Sequence, residues 1–430
     1  MTDTNELNLW YEEQLVGYLW KNDLDRIGFH YDNDWLMEES SFPISLQIPL
    51  IEDEFLPDEG IAHRFFANLL PEGLARTNII KSLKIADSDF SLLKAIGGEC
   101  AGALNILPYT SVPVPQKDWT YTTLSDENLR ALINRRGQVY SFRNSNDMPI
   151  RLSLAGAQDK CPVFIKNGAL SLPDNGAPTS HILKFQVTDL RHVPAYETIL
   201  MKLASSLELS VADIELRALD GLPGENPEKS YVIIERYDRF QDNEGILHRL
   251  HQEDFCQALG YGHGQKYQFD EGPAFVDCLN LIKEKSDEPT VDTELLINWQ
   301  IFNLLAGNSD GHAKNLSILY SGDNSLRLAP FYDLVCTRAI EHLDTNLAFA
   351  IGGQVNPRQI SKNNWVDFAE ENDIGSRFLL GLVKEQAEKI LDTFPDVLQE
   401  FEDNYGEYAA LERVESVINR QCRRTLKSLN

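Results

Sequence analysis

The run from Val291 to Asp333, VDTELLINWQIFNLLAGNSDGHAKNLSILYSGDNSLRLAPFYD, constrains the chain more than any other, because its hydrophobic period changes twice within it. Leu295, Trp299, Phe302 and Ala306 share one face of a helix that Asp292 or Thr293 is placed to cap, and Gly307 supplies a stop. Asn308 to Asn315 then carries almost no apolar side chain. Leu316 to Tyr320 and Leu326 to Ala329 read as two strands, with Ser321-Gly322-Asp323-Asn324 turning between them. A polar loop between a buried helix and a hairpin, with Asp333 just past the second strand, brings Asp310, Asn315 and Asp333 to one end of the structure.

Phosphoryl transfer needs that set. One carboxylate orients an acceptor hydroxyl, while a second carboxylate and an amide oxygen hold hard Mg²⁺ ions against phosphates. Asp310 and Asn315 stand at the Asp-x-x-x-x-Asn spacing of kinase catalytic loops, and Asp333 is placed as a second metal ligand. Taken singly, Asn308, Asp310 and Asn315 read equally well as turn caps. Loop, hairpin and following Asp together favour the chemistry. His312 stands between a phosphate contact and local hydrogen bonding. Lys314 stands between neutralising a γ-phosphate and serving as a solvated charge.

Such chemistry also calls for a phosphate-covering loop and a strand lysine. In Ser153-Leu154-Ala155-Gly156-Ala157-Gln158-Asp159-Lys160, small residues before a strand let backbone N–H groups approach an anion, although an ordinary tight turn fits the same residues. Lys184 lies in the apolar run His181 to Phe185, where an inward-facing cation needs an anionic partner and an outward-facing one does not. Glu197, on the next predicted helix, is a candidate partner, as kinase helices provide, or a surface glutamate. Tyr231 to Arg239 reads as a buried strand ending in charges. That suits an adenine-binding hinge, with Asp238 for ribose hydroxyls, and it equally suits a salt-bridged strand end.

Elsewhere, Leu7 to Tyr11 and Leu15 to Trp20 alternate as short strands, and Phe65, Phe66, Leu69 and Leu70 begin helical spacing. Pro108, Pro113 and Pro115 mark a connector. Cys161 to Ile165, His181 to Phe185 and Ser230 to Glu235 are strand candidates, with a helix over Tyr196 to Leu207. The expected domains are therefore a sheet-plus-helix subdomain over 1–110, an α/β nucleotide-binding lobe over 120–240, and a mainly helical lobe over 241–430 that carries the catalytic loop.

With 39 Lys and Arg against 66 Asp and Glu, the formal charge is -27, which disfavours direct, tight nucleic-acid binding by this chain alone. MTDTNELNLWYEEQ has neither the basic start nor the apolar core of a signal peptide, and no run reaches the roughly 20 apolar residues of a membrane span. A cytoplasmic location without membrane attachment is expected. The six scattered cysteines form no Cys-x-x-Cys pair and read as buried, reduced thiols.

Six ordered stretches, SLAGAQDK, HILKF, IERYDR, QEDFCQALG, NSDGHAKN and LAPFYDL, resemble the motifs of HipA-type serine/threonine kinases, toxins of bacterial toxin–antitoxin pairs. PISLQIPL, FFANLLPEG and the Gly97-to-Leu104 stretch extend the resemblance over nearly the whole chain. It implies an α+β, bilobal protein-kinase-like fold with an extra N-terminal β-rich subdomain and an all-helical C-terminal lobe. It also implies Asp310 as catalytic base, Asn315 and Asp333 as Mg²⁺ ligands, and ATP held by Gly156, Ala157, Gln158, Lys160, Lys184, His312 and Lys314. Glu235 and Tyr237 would bind adenine through backbone, Asp238 the ribose, and Ser153 would be autophosphorylated. The implied partners are a HipB-like helix-turn-helix antitoxin, operator DNA mainly through that antitoxin, and a substrate such as an aminoacyl-tRNA synthetase. Asp159, Tyr237 and Tyr196 depart from residues common in the family without removing a catalytic group. Two other readings compete: a small-molecule phosphotransferase, which SLAGAQDK and QEDFCQALG oppose, and a non-catalytic co-repressor subunit, which the complete catalytic set opposes.

Overall fold

The computed structural model describes residues 5–137, 155, 158, 160–174, 176–187, 190–321 and 325–429. The chain forms two compact units, Met1–Lys184 with Glu235–His263 and Ile318–Leu326, and Phe185–Ile234 with Gly264–Ser317 and Arg327–Asn430.

The first unit opens with the strands Glu6–Tyr11, Gln14–Lys21 and Ile27–Tyr31, which Leu104–Pro108 completes as an antiparallel sheet, the last pairing with the first. Alternation sets the register: Leu7 faces Leu19 and Leu9 faces Ile106, so one face is apolar and buried. Helices Ile61–Asn68 and Asp89–Ile96 cover that face with Phe65, Phe66, Leu92, Leu93 and Ile96. Fully burying Phe29 or Phe66 contributes about 1.5–3 kcal/mol each. The helix at Asp89 starts where Ser88 accepts the Ser91 N–H, a side-chain cap on an otherwise unpaired donor.

Also in this unit, Thr120–Thr123, Ala169–Asp174, Lys160–Lys166 and His181–Phe185 lie side by side and antiparallel. The two strands expected here are present, one residue longer at each end in the first case.

In the second unit, Ile214–Ala218 pairs antiparallel with Ser230–Glu235, and helix Val193–Ser206 replaces the expected Tyr196-to-Leu207 span. Pro194 explains the earlier start, because its fixed φ and missing N–H suit a first helical turn. The long helices Pro289–Ala306, Ser376–Tyr405 and Leu411–Leu429 form the bulk of this unit. Trp299, Phe302 and Leu305 are fully buried on the first of them.

That helix begins earlier than expected. Asp292 and Thr293 do not cap it; the capping position is Glu288, followed by Pro289. Asp292 is instead a buried acceptor in the first turn, taking the Ser286 hydroxyl at 2.5 Å, Arg327 at 2.9 and 3.0 Å and the Leu328 N–H at 2.9 Å. All six cysteines are buried thiols.

No helix among the described residues is long and apolar enough to cross a membrane.

Candidate active site

Gly307 ends the helix as expected, with φ at 84°. A Cβ there would lie 2.6 Å from Val417 Cγ1, so glycine is required both for conformation and for space. From this point the chain is pinned residue by residue. Asn308 donates from Nδ2 to Asn303 Oδ1 at 2.9 Å and accepts the Asp310 N–H at 3.1 Å. Ser309 donates its N–H to Thr337 Oγ1 at 2.8 Å and its hydroxyl to the Thr345 carbonyl at 2.9 Å.

The turn closes on itself. His312 N–H reaches the Asp310 carbonyl at 2.9 Å, and Asn315 Nδ2 donates to that same carbonyl at 3.0 Å. With its nitrogen so committed, Asn315 presents Oδ1 as the acceptor atom. Asp310 is the exposed member, its side chain 51% accessible. Asn308 is thus a turn cap that builds the loop, whereas Asp310 caps nothing with its carboxylate, which instead accepts the Tyr267 hydroxyl at 2.6 Å.

His312 is buried, and burial pushes its pKa down to about 4, with Lys266 and Lys314 adding to the fall while Asp310 and Asp333 oppose it. It is therefore a neutral imidazole near pH 7, packed edge-on against the Tyr267 ring at 5.1 Å between centroids. Both carboxylates act on this one ring, so Asp310 and Asp333 belong to one local field. Lys314 is also buried.

Asp333 sits in left-handed conformation, φ 59°, which costs a non-glycine residue about 1–3 kcal/mol and concentrates at working sites. Its approach is fixed by three contacts. Phe331 bridges Val211 in parallel and stacks on Trp299 at 5.9 Å, and the Tyr332 hydroxyl donates to the Lys314 carbonyl at 2.9 Å. Asn315 Oδ1 and the Asp333 carboxylate are hard oxygen donors, which fits Mg²⁺, an ion that takes one or two protein carboxylates and fills its shell with water and phosphate.

In the first unit, Lys160 and Lys184 are register partners on neighbouring strands, and Lys160 Nζ donates to the Ala155 carbonyl at 2.7 Å. Lys184 is only 4% exposed. Tyr237 donates its hydroxyl to Gln252 Oε1, and Glu235 is exposed at its strand end. Gln158 is described, while Ser153, Gly156 and Ala157 lie outside the described residues.

Asp238, expected at a ribose, is 3% exposed, and its oxygens accept Arg236 at 2.9 and 2.8 Å and the Gly102 N–H at 2.7 Å. Glu99, unremarked in the sequence, accepts from Arg236, Arg239, Arg249 and Thr179. Burial works against its charge, but Arg249, Arg239 and Arg236 overcome this and hold the carboxyl well below the ordinary range. The salt-bridged strand end is the arrangement found.

Sequence reasoning also missed Tyr267 and Thr337. Tyr267 lies 43 residues before Asp310 in a segment with no hydrophobic period, so only the folded chain shows the contact.

Known proteins resemble the chain along nearly its whole length. A model of the HipA-like C-terminal domain matches residues 152–404, and one of the HipA N-terminal domain matches 7–107. The putative kinase Y4mE of Sinorhizobium fredii (strain NBRC 101917 / NGR234) is 35% identical over 413 residues, 94% of each chain. The serine/threonine-protein kinase toxin HipA of Shewanella oneidensis is 28% identical over 389 residues, 87% of this chain and 84% of that one. A solved structure from Shewanella oneidensis MR-1, a toxin–antitoxin system of HipA, HipB and operator DNA, superposes with TM-score 0.79 at 25% identity, covering 98% and 96% of the two chains. A mixed helix-and-sheet chain matched by both HipA domain models, and similar along nearly its whole length to a HipA structure, belongs to the HipA family of kinase-like toxins.

Proposed function

We propose that the protein is an ATP- and Mg²⁺-dependent serine/threonine protein kinase and the toxin of a HipB-paired system. The observation that carries this reading is the loop 308–315. It is hydrogen-bonded at nearly every residue, yet leaves the Asp310 carboxylate half exposed. A general base must be rigidly placed and still reachable, and Asp310 is both.

Asp310 takes the proton of the acceptor hydroxyl. Asn315 and Asp333 would hold Mg²⁺, which when bound draws charge from the phosphates. Lys160, Lys184 and Lys314 serve the phosphates as cations, and neutral His312 serves them as a hydrogen-bonding ring. Backbone groups of Glu235 and Tyr237 take adenine, and Gly156, Ala157 and Gln158 cover the phosphates. Ser153 is the proposed site of autophosphorylation.

The partner follows from charge and kinship. A chain of net charge -27 suits a basic helix-turn-helix partner, and the Shewanella HipA is solved with HipB and operator DNA. This protein would bind a HipB-like antitoxin and reach DNA through it. Its substrate would be a component of translation such as an aminoacyl-tRNA synthetase.

The test is Asp310→Asn, nearly isosteric yet unable to accept a proton. It should bind ATP like wild type by calorimetry and lose phosphoryl transfer by at least about a hundred-fold, the usual scale for a removed acid–base group. Equal transfer by both proteins would show that the Asp310 carboxylate is not the base.

A further inference from the structure

We propose that Tyr267 is a built-in stand-in for the acceptor hydroxyl, occupying Asp310 until a substrate displaces it; this rests on the kinase reading above. An acceptor must bring its O–H within about 2.6–3.2 Å of the base. One O–H already does so, since the Tyr267 hydroxyl donates to Asp310 Oδ1 at 2.6 Å. A substrate serine or threonine that approaches the same oxygen must first expel the phenol.

The segment carrying Tyr267 is anchored on both sides. The Lys266 carbonyl accepts the Ala313 N–H at 3.4 Å, and the Gln268 amide oxygen accepts the Ala350 N–H at 2.9 Å. The Tyr267 carbonyl accepts the N–H groups of Asp270 and Gly272, both at 3.0 Å. Gly272 is packed so closely that a Cβ would lie 2.3 Å from the Gln265 carbonyl oxygen. The backbone is thus held on both sides, and the phenol can leave by rotation of its own side chain away from His312, whose ring it meets edge-on.

The arrangement has a chemical use. Water is the smallest competing acceptor, and its attack would spend ATP without modifying any protein. A phenol on Asp310 Oδ1 competes with water for that oxygen of the base. Phe269, two residues after Tyr267 in sequence and 62% exposed, offers an arriving protein an apolar contact near the gate.

The opposite reading, that Tyr267 orients Asp310 and assists it, predicts the opposite sign. ADP release by the full chain with Mg²⁺ and ATP, and no protein acceptor, separates the two. Tyr267→Phe should raise this hydrolysis on the order of ten-fold, the scale of one lost hydrogen bond to a charged group. Tyr267→Leu, which also removes the ring, should rise at least as much, and adding Asp310→Asn should abolish the gain in either background. Melting temperatures check that each variant is folded. Hydrolysis equal to or below wild type in folded Tyr267→Phe and Tyr267→Leu would overturn the proposal and leave the kinase reading standing. Wild-type hydrolysis that Asp310→Asn leaves unchanged would instead remove the kinase reading, and this proposal with it.

Discussion

Glu253 offers a test of the frame that needs no substrate. Its side chain is 1% exposed within the first unit. Oε1 accepts the Leu46 N–H at 3.0 Å and the Tyr320 hydroxyl at 2.5 Å, and Oε2 accepts the Ser45 hydroxyl at 2.6 Å. Burial pushes its carboxyl up from 4.5 to about 7, against those three hydrogen bonds and with some help from Asp254. Between these values the folded protein holds a proton that the unfolded chain has released. A raised folded-state pKa gives stability that is fully present below 4.5 and lost as pH rises through about 7. At about 1.4 kcal/mol per pH decade, the loss across that window is about 3 kcal/mol. Glu253→Gln mimics the protonated form: the amide oxygen keeps the Leu46 and Tyr320 donors, and the new N–H can donate to the Ser45 hydroxyl oxygen. Urea unfolding of both proteins from about pH 5 to about pH 8 should therefore show a gap that opens with pH, the variant being more stable at the alkaline end. A gap that stays constant, or a variant that becomes the weaker protein at high pH, refutes the neutral-carboxyl argument.

Asp292→Ala should destabilise the second unit by about 1–3 kcal/mol, because the Leu328 N–H loses its buried acceptor while the partly exposed Arg327 keeps Glu288, and Asp292→Asn should recover part of the loss in a thermal melt. Asp333→Gly should abolish Mg²⁺·ATP turnover while leaving the melting temperature unchanged or raised, since glycine relieves up to about 1–3 kcal/mol of left-handed strain. A fall in stability of that variant would show that the Asp333 carboxylate holds the fold rather than the chemistry.

Much of the fold is legible because it rests on local periods. Alternation over Leu7 to Tyr11 and Leu15 to Trp20 gives the strands Glu6–Tyr11 and Gln14–Lys21, and the polar gap after Gly307 gives the loop itself. The helix starts before Asp292 because Pro289, with its fixed φ and missing N–H, suits a first turn. What the sequence conceals is long-range pairing. Nothing in the segment around Tyr267 announces Asp310, and nothing around Glu99 announces Arg236, Arg239 and Arg249, which lie 137 to 150 residues away. Asp238 shows the same limit from the other side: a carboxylate at the end of a buried strand suits a ligand or an arginine equally, and only the neighbours decide.

Those neighbours also explain why so many charges are buried at one point. A buried ion pair gains little net stability over apolar residues of equal size, but removing one partner is severe, so such a network specifies geometry more than it strengthens the fold. Here Glu99 lies in the region matched by the N-terminal domain model, whereas all three arginines and Asp238 lie in the region matched by the C-terminal one. Arg236 also donates to the Cys100 carbonyl at 2.9 Å, and Arg239 to the Gly102 carbonyl at 3.0 Å. Gly102 holds φ at 77°, and a Cβ on it would meet the Gln252 N at 3.0 Å, so the turn at 99–102 packs closely on the backbone at Gln252. The Asp238 carbonyl then accepts the Leu250 N–H at 2.9 Å, fixing the return of the hairpin. The segment Glu235 to Arg239 is thereby held by the N-terminal region as well as by its own strand. A boundary drawn between the two matched regions would cut through this network, leaving three buried guanidinium groups with Asp238 as the one carboxylate of the network on their side.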